Sequence, residues 1–263
     1  MSQSLQREHG EALYQALLAG RTLEPLTSRW PGITIEDAYR ISLYAIERRV
    51  AAGDLIVGKK IGVTSEAVQR MLDVHQPDFG FITRDMGFDD GAVISLSANR
   101  LIQPRAEGEI AFKLKRDLQG PGVTERDVLE ATECVMPCFE IVDSRIHDWK
   151  IRIQDTVADN ASCGVFVLGR EQVDPRTLDL PNLSMTVFKN GAQISQGLGS
   201  AVQGNPLTAV AWLANTLGAF GIPFKAGEII LSGSLVPLEP ARAGDHFELT
   251  IDGLGSARVS FRD

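Results

Sequence analysis

Three glutamates in apolar, strand-like segments are the residues of this sequence best suited to chemistry. Glu107 and Glu109 lie in the run from Leu101 to Phe112, and Glu140 lies in the run from Val135 to Val142. Because side chains alternate along a strand, Glu107 and Glu109 are predicted to point to the same face. The sequence therefore predicts carboxylates that converge inside an apolar part of the protein.

Buried carboxylates must be paired, protonated or bound to a metal, because burying an unpaired charge is very unfavourable. Three carboxylates without a neighbouring histidine are typical of a site for a hard divalent cation, Mg²⁺ or Mn²⁺. On a half-exposed strand, the Glu107-Gly-Glu109 pattern alone is more typical of a solvated face. Glu140 favours the metal site, because Phe139 and Ile141 flank it in a segment too apolar for a surface edge.

Lys60 and Asp78 are further candidates, each with a simpler alternative. Lys60 shares a strand face with Gly58 and Gly62, which would leave room for a ligand, although two solvated lysines at a strand end would give the same pattern. Asp78 lies in the Pro/Gly-bounded segment 76–80. An aspartate in a turn usually caps the backbone, but in a metal pocket it could act as a general acid or base.

The segment 155–164 is rich in small polar residues and has no helix or strand periodicity. It is predicted to be a loop, and loops of this kind often bind ligands. The alternative is an ordinary surface loop. Asp143, Arg145, Asp155 and Asp159 make this region unusually dense in hydrogen-bonding groups.

Bulk composition narrows the class of protein. The chain has 263 residues, 44% of them hydrophobic, with a net charge of −8. Nucleic acid is not expected as a partner, because phosphate binding needs basic patches. No run approaches the ~20 apolar residues of a membrane span, and the first residues lack the apolar core of a signal peptide. With three cysteines, Cys134, Cys138 and Cys163, the chain suits a reducing cytoplasm, and we expect them to be buried small hydrophobes.

The periodicity predicts a mixed α and β (α+β) fold with two domains. Residues 8–53 are predicted to be helical, with a capping box at Thr34, and a second helix is predicted from Ser65 to Leu72. From about residue 76 the pattern changes to short strands, interrupted by helices that begin at Thr124 and Asn205. The predicted strands are 107–115, 138–143, 164–168, 184–189, 228–232, 246–251 and 256–261. The predicted domains are a helical N-terminal lobe, 1–75, which contributes Lys60 to the site, and a strand-rich catalytic body, 76–263.

Four runs of the sequence together resemble the hydratase/decarboxylase branch of the fumarylacetoacetase superfamily. The resemblance covers the chain from about residue 10 to its end and implies a fumarylacetoacetase C-terminal-like β-rich body. It implies that Glu107, Glu109 and Glu140 hold Mg²⁺ or Mn²⁺, that Lys60 and Asp78 are catalytic, and that Leu72 and Ser162 contact the substrate. The runs are Pro104-Arg-Ala-Glu-Gly-Glu109, Val142-Asp-Ser-Arg145, Val157-Ala-Asp-Asn-Ala-Ser162 and Ile230-Leu-Ser-Gly233.

Within that branch the hydratases are the most similar, which implies hydration of 2-hydroxypenta-2,4-dienoate to 4-hydroxy-2-oxopentanoate in the meta-cleavage of aromatic compounds. The resemblance also implies a homo-oligomer and an association with the pathway's decarboxylase. Three alternatives stay open: a 4-oxalocrotonate decarboxylase, a C–C bond hydrolase and a 2-oxo-acid-binding module without activity. Asp78 argues against the decarboxylase, whose substrate carries a second carboxylate. The hydrolase would need a histidine–acid pair, and neither His75 nor His147 is expected to form one.

Overall fold

The computed structural model describes the backbone of residues 1–263 and every side chain except those of Ala67 and Met71. The helices are α1 (Gln3–Ala19), α2 (Leu26–Arg29), α3 (Ile35–Ala51), α4 (Glu66–Leu72), α5 (Glu125–Ala131), α6 (Ile153–Ala158) and α7 (Pro206–Gly218). The strands are β1 (Ile56–Gly62), β2 (Asp78–Thr83), β3 (Gly87–Asp89), β4 (Ala92–Ser95), β5 (Arg105–Leu114), β6 (Thr132–Val142), β7 (Cys163–Leu168), β8 (Ser184–Lys189), β9 (Ala192–Leu198), β10 (Ile229–Ser234), β11 (Glu239–Pro240), β12 (His246–Ile251) and β13 (Gly255–Arg262).

Helix boundaries in the first 75 residues follow from local capping chemistry. Gly20 adopts a left-handed conformation (φ 57°) and ends α1. The Thr34 hydroxyl accepts a hydrogen bond from the Asp37 N–H, so the predicted capping box begins α3. The predicted helix at Ser65 is also confirmed, because the Ser65 side chain accepts from the Val68 N–H. The expectation of helix throughout 8–53 is wrong, since Gly20 and Pro25 interrupt it.

Eight strands form the main sheet, in the order β2-β1-β10-β5-β6-β7-β3, with β11 paired to β5. Strand β10 is parallel to β1 and antiparallel to β5, so it separates the two. The remaining strands form a second sheet in the order β4-β13-β12-β8-β9. Strand β1, from the predicted N-terminal lobe, therefore lies inside the main sheet. A division into two domains at residue 75 stays a prediction.

The two sheets pack face to face through the alternate residues of β5. A side chain at Gly108 would come within 2.4 Å of the Met185 sulfur of β8, so the absence of a side chain here lets the two layers approach closely. Phe139 of β6 meets Phe247 of β12 edge to face, with ring centroids 6.2 Å apart. This packing covers one face of β5 and leaves Glu107 and Glu109 on the opposite face, as the alternation predicts.

The opposite face of the main sheet curls around a second, smaller core. Ile82 of β2, Leu231 of β10 and Phe166 of β7 belong to one buried cluster although their strands are not neighbours. A salt bridge of 3.2 Å between Lys60 Nζ and Glu140 Oε1 likewise joins β1 to β6 across two intervening strands. Adjacent strands are ~4.8 Å apart, so such contacts require a strongly curved sheet.

Several predictions about this region need correction. The segment around Asp78, predicted as a turn, begins strand β2, whose residues are all buried. The segment predicted as an irregular loop begins inside helix α6, and only its later part is irregular. Strands β3, β4, β9 and β11 were not predicted. Among the helices that the structure describes, none has the length and apolar character needed to cross a membrane.

Candidate active site

The three predicted glutamates converge on the curled face of the main sheet. Glu107 and Glu140 are direct partners across the β5–β6 pair, and Glu109 follows one pleat further along β5. One oxygen of each carboxylate lies within 4.8 Å of the others. Glu109 and Glu140 are fully buried, and Glu107 is half-buried at the floor of a pocket.

Only some of the oxygens in this carboxylate cluster accept a hydrogen bond from the protein. Glu109 Oε2 accepts a hydrogen bond of 2.9 Å from the Gly233 N–H. Among the described residues, Glu109 Oε1 and Glu140 Oε2 have no hydrogen-bond partner. Buried acceptors without donors are rare in folded proteins, and a bound ion is one of the recognised reasons for them.

Repulsion between the three carboxylates also indicates a bound cation. Burial, followed by the charge of Glu140, raises the pKa of Glu107 to about 8. The same two causes raise the pKa of Glu109 well above its ordinary value. A divalent cation would offset this repulsion, and three carboxylate oxygens are the ligands that Mg²⁺ and Mn²⁺ prefer. The residues present therefore fit such a cation.

Lys60 is buried beside the cluster, and Lys59 is buried on the opposite face of β1, so the alternative of two solvated lysines is wrong. Burial alone lowers the pKa of Lys60, but the charges of Glu140 and Asp78 more than offset it, and the net change is upward. Lys60 therefore provides a permanent positive charge next to the carboxylates.

Asp78 is fully enclosed next to Lys60. Its Oδ1 has no hydrogen-bond partner among the described residues. A side chain at Gly62 would come within 2.3 Å of this oxygen and 3.2 Å of Lys60 Nζ, so glycine leaves space at this point. Burial raises the pKa of Asp78, and the charge of Lys60 opposes that shift only in part. A carboxyl group of raised pKa beside a fixed ammonium is suited to proton transfer.

A pocket of about 640 Å³ opens above these groups and contains the other predicted residues. Ser162 lies on its polar side, with its hydroxyl 3.0 Å from the Thr156 hydroxyl. Leu72, from α4, belongs to its apolar wall together with Val68. All seven residues of the predicted site thus line the pocket or contact those that do.

Four residues of the site were not predicted. Thr156, Arg105 and Trp149 line the pocket, and Asn160 connects the segment before β7 to the backbone of β2. Arg105 carried a usable signal, because it stands two residues before Glu107 and shares its strand face.

The dense polar groups noted around residue 145 are structural. Arg145 forms a buried ion pair with Asp159, with a distance of 2.7 Å between Nε and Oδ1. Asp155 accepts two hydrogen bonds from Thr27 of α2, and Asp143 accepts hydrogen bonds from the Ile102 and Gln103 N–H groups. This network holds the segment between β6 and β7 against the N-terminal helices.

The expectation that neither histidine pairs with an acid is wrong for His147. Its Nε2 lies 3.2 Å from Asp148 Oδ2, and Asp148 lines the pocket. Both side chains are about half exposed at the outside of the pocket, at 47% and 61%. The pair therefore lies in a more solvent-exposed position than the enclosed carboxylates.

Comparison with known proteins agrees with this geometry. Residues 61–262 match the model of the fumarylacetoacetate (FAA) hydrolase C-terminal family. The chain belongs to the fumarylacetoacetate hydrolase family. The resemblance predicted from the four sequence runs is confirmed, and so is the mixed α and β fold.

Relatives within the fumarylacetoacetate hydrolase family are similar over nearly the whole chain. A 2-hydroxyhexa-2,4-dienoate hydratase of Comamonas testosteroni is 65% identical over 97% of this chain and 96% of its own length. A 2-hydroxypent-2,4-dienoate hydratase of Pseudomonas putida is 62% identical over 84% of this chain and 100% of its own. Among solved structures, 4-oxalocrotonate decarboxylase from Pseudomonas putida G7, complexed with magnesium and adipate, superposes with a TM-score of 0.96. It is 34% identical over 99% of this chain and 98% of its own.

Proposed function

We propose that this chain is a metal-dependent hydratase of 2-hydroxypenta-2,4-dienoate, or of its homologue with a methyl group at C5, in the degradation of aromatic compounds. The product is the corresponding 4-hydroxy-2-oxo acid. The observation that carries the proposal is a buried cluster of three carboxylates beside Lys60 and Asp78, in a chain 65% identical to a dienoate hydratase.

Glu107, Glu109 and Glu140 would hold the cation, and Mg²⁺ or Mn²⁺ suits their oxygen ligands better than Zn²⁺ does. When bound, the ion supplies Lewis-acid stabilisation of negative charge on the C2 oxygen of the substrate. Glu109 Oε1 and Glu140 Oε2, which accept no hydrogen bond from the described residues, are available as ligands to the cation and support this assignment. Activity that only Zn²⁺ restores after removal of bound metal would contradict it.

Lys60 supplies a positive charge for the substrate's anionic oxygens, and Asp78 supplies the proton. The ammonium of Lys60, enclosed next to Glu140, orients the substrate's anionic oxygens. Asp78, with its raised pKa, delivers a proton to C5 of the dienol while the C2 hydroxyl loses its own proton, which gives the 2-oxo-3-enoate. Water then adds across C3 and C4, with its hydroxyl on C4 and its proton on C3.

The runner-up function is the decarboxylation of 4-oxalocrotonate, because that enzyme shares the fold with a TM-score of 0.96. Two observations favour hydration. Identity is 65% to a hydratase but 34% to the decarboxylase. Asp78 is also enclosed in the pocket. In its charged form it would repel the second carboxylate of a dicarboxylic substrate, and in its protonated form it would hydrogen-bond to that carboxylate instead of delivering its proton to C5.

An absorbance assay on freshly prepared dienol tests the proposal. The dienol absorbance should fall with added Mg²⁺ or Mn²⁺, 4-hydroxy-2-oxopentanoate should accumulate, and EDTA should abolish both. In parallel, 2-oxo-3-hexenedioate should release no CO₂ above the uncatalysed rate. CO₂ release without hydration would establish the decarboxylase, and full turnover with no divalent ion bound would contradict the metal assignment.

A homo-oligomer and a complex with the pathway's decarboxylase are also proposed on the family resemblance. Light scattering during size-exclusion chromatography, with and without the decarboxylase, tests both. A single-chain mass in each run would contradict them.

A further inference from the structure

Arg105 lies on the wall of the pocket. Among the described residues, no acidic side chain forms an ion pair with its guanidinium. Arg105 stands two residues before Glu107 on β5, so the two side chains share one face with their Cα atoms roughly 7 Å apart. Within the described part of the chain, no carboxylate lies within ion-pair distance of its guanidinium and no group accepts a hydrogen bond from it. The other basic residue in the lining of the pocket, Lys60, is paired with Glu140.

The Arg105 guanidinium is nonetheless held in place. It lies 4.6 Å from the centre of the Trp149 ring, in a cation–π contact. Trp149 is itself anchored, because its Nε1 donates a hydrogen bond of 3.0 Å to the Gln103 carbonyl. The Gln103 side chain is fixed in turn by hydrogen bonds to the Ser144 and Ile146 carbonyls. A guanidinium that contacts an aromatic ring keeps its N–H donors available for another ligand.

A positioned guanidinium with open N–H donors is suited to bind a carboxylate oxygen through charge-assisted hydrogen bonds. Every substrate considered above has a carboxylate at C1, next to the oxygen on C2. If that end of the molecule binds at the three glutamates, Arg105 is the unpaired cation on the same strand face, two residues from Glu107, and is available to the carboxylate oxygen that the metal site leaves free. The pocket is thus equipped to hold both oxygens of the carboxylate.

We propose that Arg105 binds the C1 carboxylate oxygen that the metal site leaves free and that Trp149 is the positioning residue that orients Arg105. The assignment rests on the proposed function, because it takes the ligand to be a 2-oxo or 2-hydroxy acid. It makes Arg105 a determinant for any ligand with a C1 carboxylate, whatever the length of its tail.

Pyruvate is the probe that isolates this contact, because it has the C1 carboxylate and the C2 oxygen but no tail. Calorimetry on the Mg²⁺-saturated protein should show Arg105→Gln weakening pyruvate binding by about 10- to 100-fold, the range for losing charge-assisted hydrogen bonds. Arg105→Lys, which keeps the charge but loses the planar donors, should recover only part of the loss. Arg126→Gln is the matched control, since Arg126 is 86% exposed on α5.

Three further measurements separate binding from general damage. Mn²⁺ affinity of the variant without pyruvate should equal that of the wild type, because Arg105 is not a metal ligand. KM for the dienol should rise by the same factor as the pyruvate Kd while kcat changes much less. Trp149→Leu should weaken pyruvate binding less than Arg105→Gln does, and the double variant should bind no more weakly than Arg105→Gln alone.

Two outcomes would overturn the assignment of Arg105. Unchanged pyruvate affinity in Arg105→Gln would remove Arg105 from the C1 end. If the variant at the same time bound 2-oxoadipate more weakly, Arg105 would belong to the far end of a dicarboxylate. A wild-type protein that binds Mg²⁺ but not pyruvate would instead reject the 2-oxo-acid site, and the proposed function with it.

Discussion

The carboxamide of Asn160 pairs with both backbone polar groups of Phe81, as a neighbouring strand would. Asn160 Oδ1 accepts from the Phe81 N–H at 2.8 Å, and Nδ2 donates to the Phe81 carbonyl at 2.9 Å. Gly80 permits this approach, since a side chain there would lie 2.5 Å from the Asn160 carbonyl oxygen. One side chain thereby connects β2, which carries Asp78, to the segment that carries Ser162.

Asn160→Ala should lower both stability and turnover. We expect the free energy of unfolding to fall by about 1–3 kcal/mol, because two buried backbone groups lose their partner. We also expect kcat per folded molecule to fall by roughly 10- to 100-fold, because Asp78 and Ser162 lose their common support. Urea unfolding and kcat on one preparation measure the two effects.

Asn215 offers a matched control for Asn160. Its carboxamide pairs with the Val123 N–H and carbonyl in the same two-point manner, at 2.8 Å each, but on helix α7 away from the pocket. Asn215→Ala should destabilise the protein and leave kcat per folded molecule unchanged. Equal loss of kcat in both variants would show that the Asn160 bonds serve stability alone.

Asp78→Asn should separate catalysis from binding. Hydration should fall by about 10²- to 10⁴-fold, the usual effect of removing a positioned acid or base. Pyruvate affinity should be nearly unchanged, because the three proposed metal ligands and Lys60 remain. The melting temperature should stay level or rise, since burial raises the pKa of this carboxyl and its charged form is unfavourable in the fold. A normal kcat with a lowered melting temperature would make Asp78 structural and remove the main argument against the decarboxylase.

Gly62→Ala tests the space between Asp78 and Lys60. The added methyl group would lie 2.3 Å from Asp78 Oδ1, so this carboxylate must move. A displacement of about 1 Å can cost roughly 100-fold in rate, and we expect a loss of kcat of that order with circular dichroism unchanged. Gly32→Ala is the control, since a side chain there meets nothing within 4 Å. Equal kcat values in the two variants would contradict a close fit at Gly62.

Glu109→Gln should stabilise the metal-free protein while it removes the response to metal. The pKa of Glu109 is raised by burial and by Glu140, so its charge is unfavourable when no cation is bound. In EDTA we expect a gain of about 1 kcal/mol, or roughly 2–4 °C in melting temperature. Added Mg²⁺ should raise the melting temperature of the wild type and not that of the variant. The exposed Glu47→Gln should behave like the wild type, and a destabilised Glu109→Gln in EDTA would contradict the prediction.

Asp37 should contribute stability that depends on pH. Although burial opposes the shift, hydrogen bonds from Gln6 and Thr34 lower the pKa of Asp37 from 3.8 to about 2. A folded-state pKa below the unfolded one gives stability that is present above pH 3.8 and lost as the pH falls towards 2. Wild type should therefore exceed Asp37→Asn in melting temperature at pH 5 and approach it near pH 2. A constant difference over this range would show that the charge is irrelevant.

Sequence periodicity was sufficient for the glutamates, because alternation along a strand fixes which face each side chain takes. It failed at Asp78, since Pro77 and Gly80 give β2 the composition of a turn, while the strand that makes it extended, β1, lies on the other side of helix α4 in the sequence. The backbone conformation of segment 160–162 could not be predicted from the sequence either. Asn160, Ala161 and Ser162 all adopt left-handed conformations, with φ of 51–54°, which non-glycine residues rarely do without tertiary support.

The chemistry of Arg105 and Asn160 also depends on contacts that no local pattern encodes. Arg105 is unpaired only because of what the fold brings near it, and Asn160 acts on a strand 79 residues earlier in the chain. Capping boxes and strand registers are local or periodic, and they were predictable for that reason. Pairings across the curled sheet are neither local nor periodic.

The position of β10 determines when the candidate metal site can form during synthesis of the chain. Strand β10 (Ile229–Ser234) separates the strand of Lys60 from the strand of Glu109, and its Gly233 N–H bonds Glu109 directly. The two halves of the site are therefore joined by a segment that the ribosome produces more than a hundred residues after Glu109, at a separation of 124 between Gly233 and Glu109. A nascent or truncated chain that stops before β10 lacks the strand that aligns these residues, so metal binding should begin only after β10 has been made.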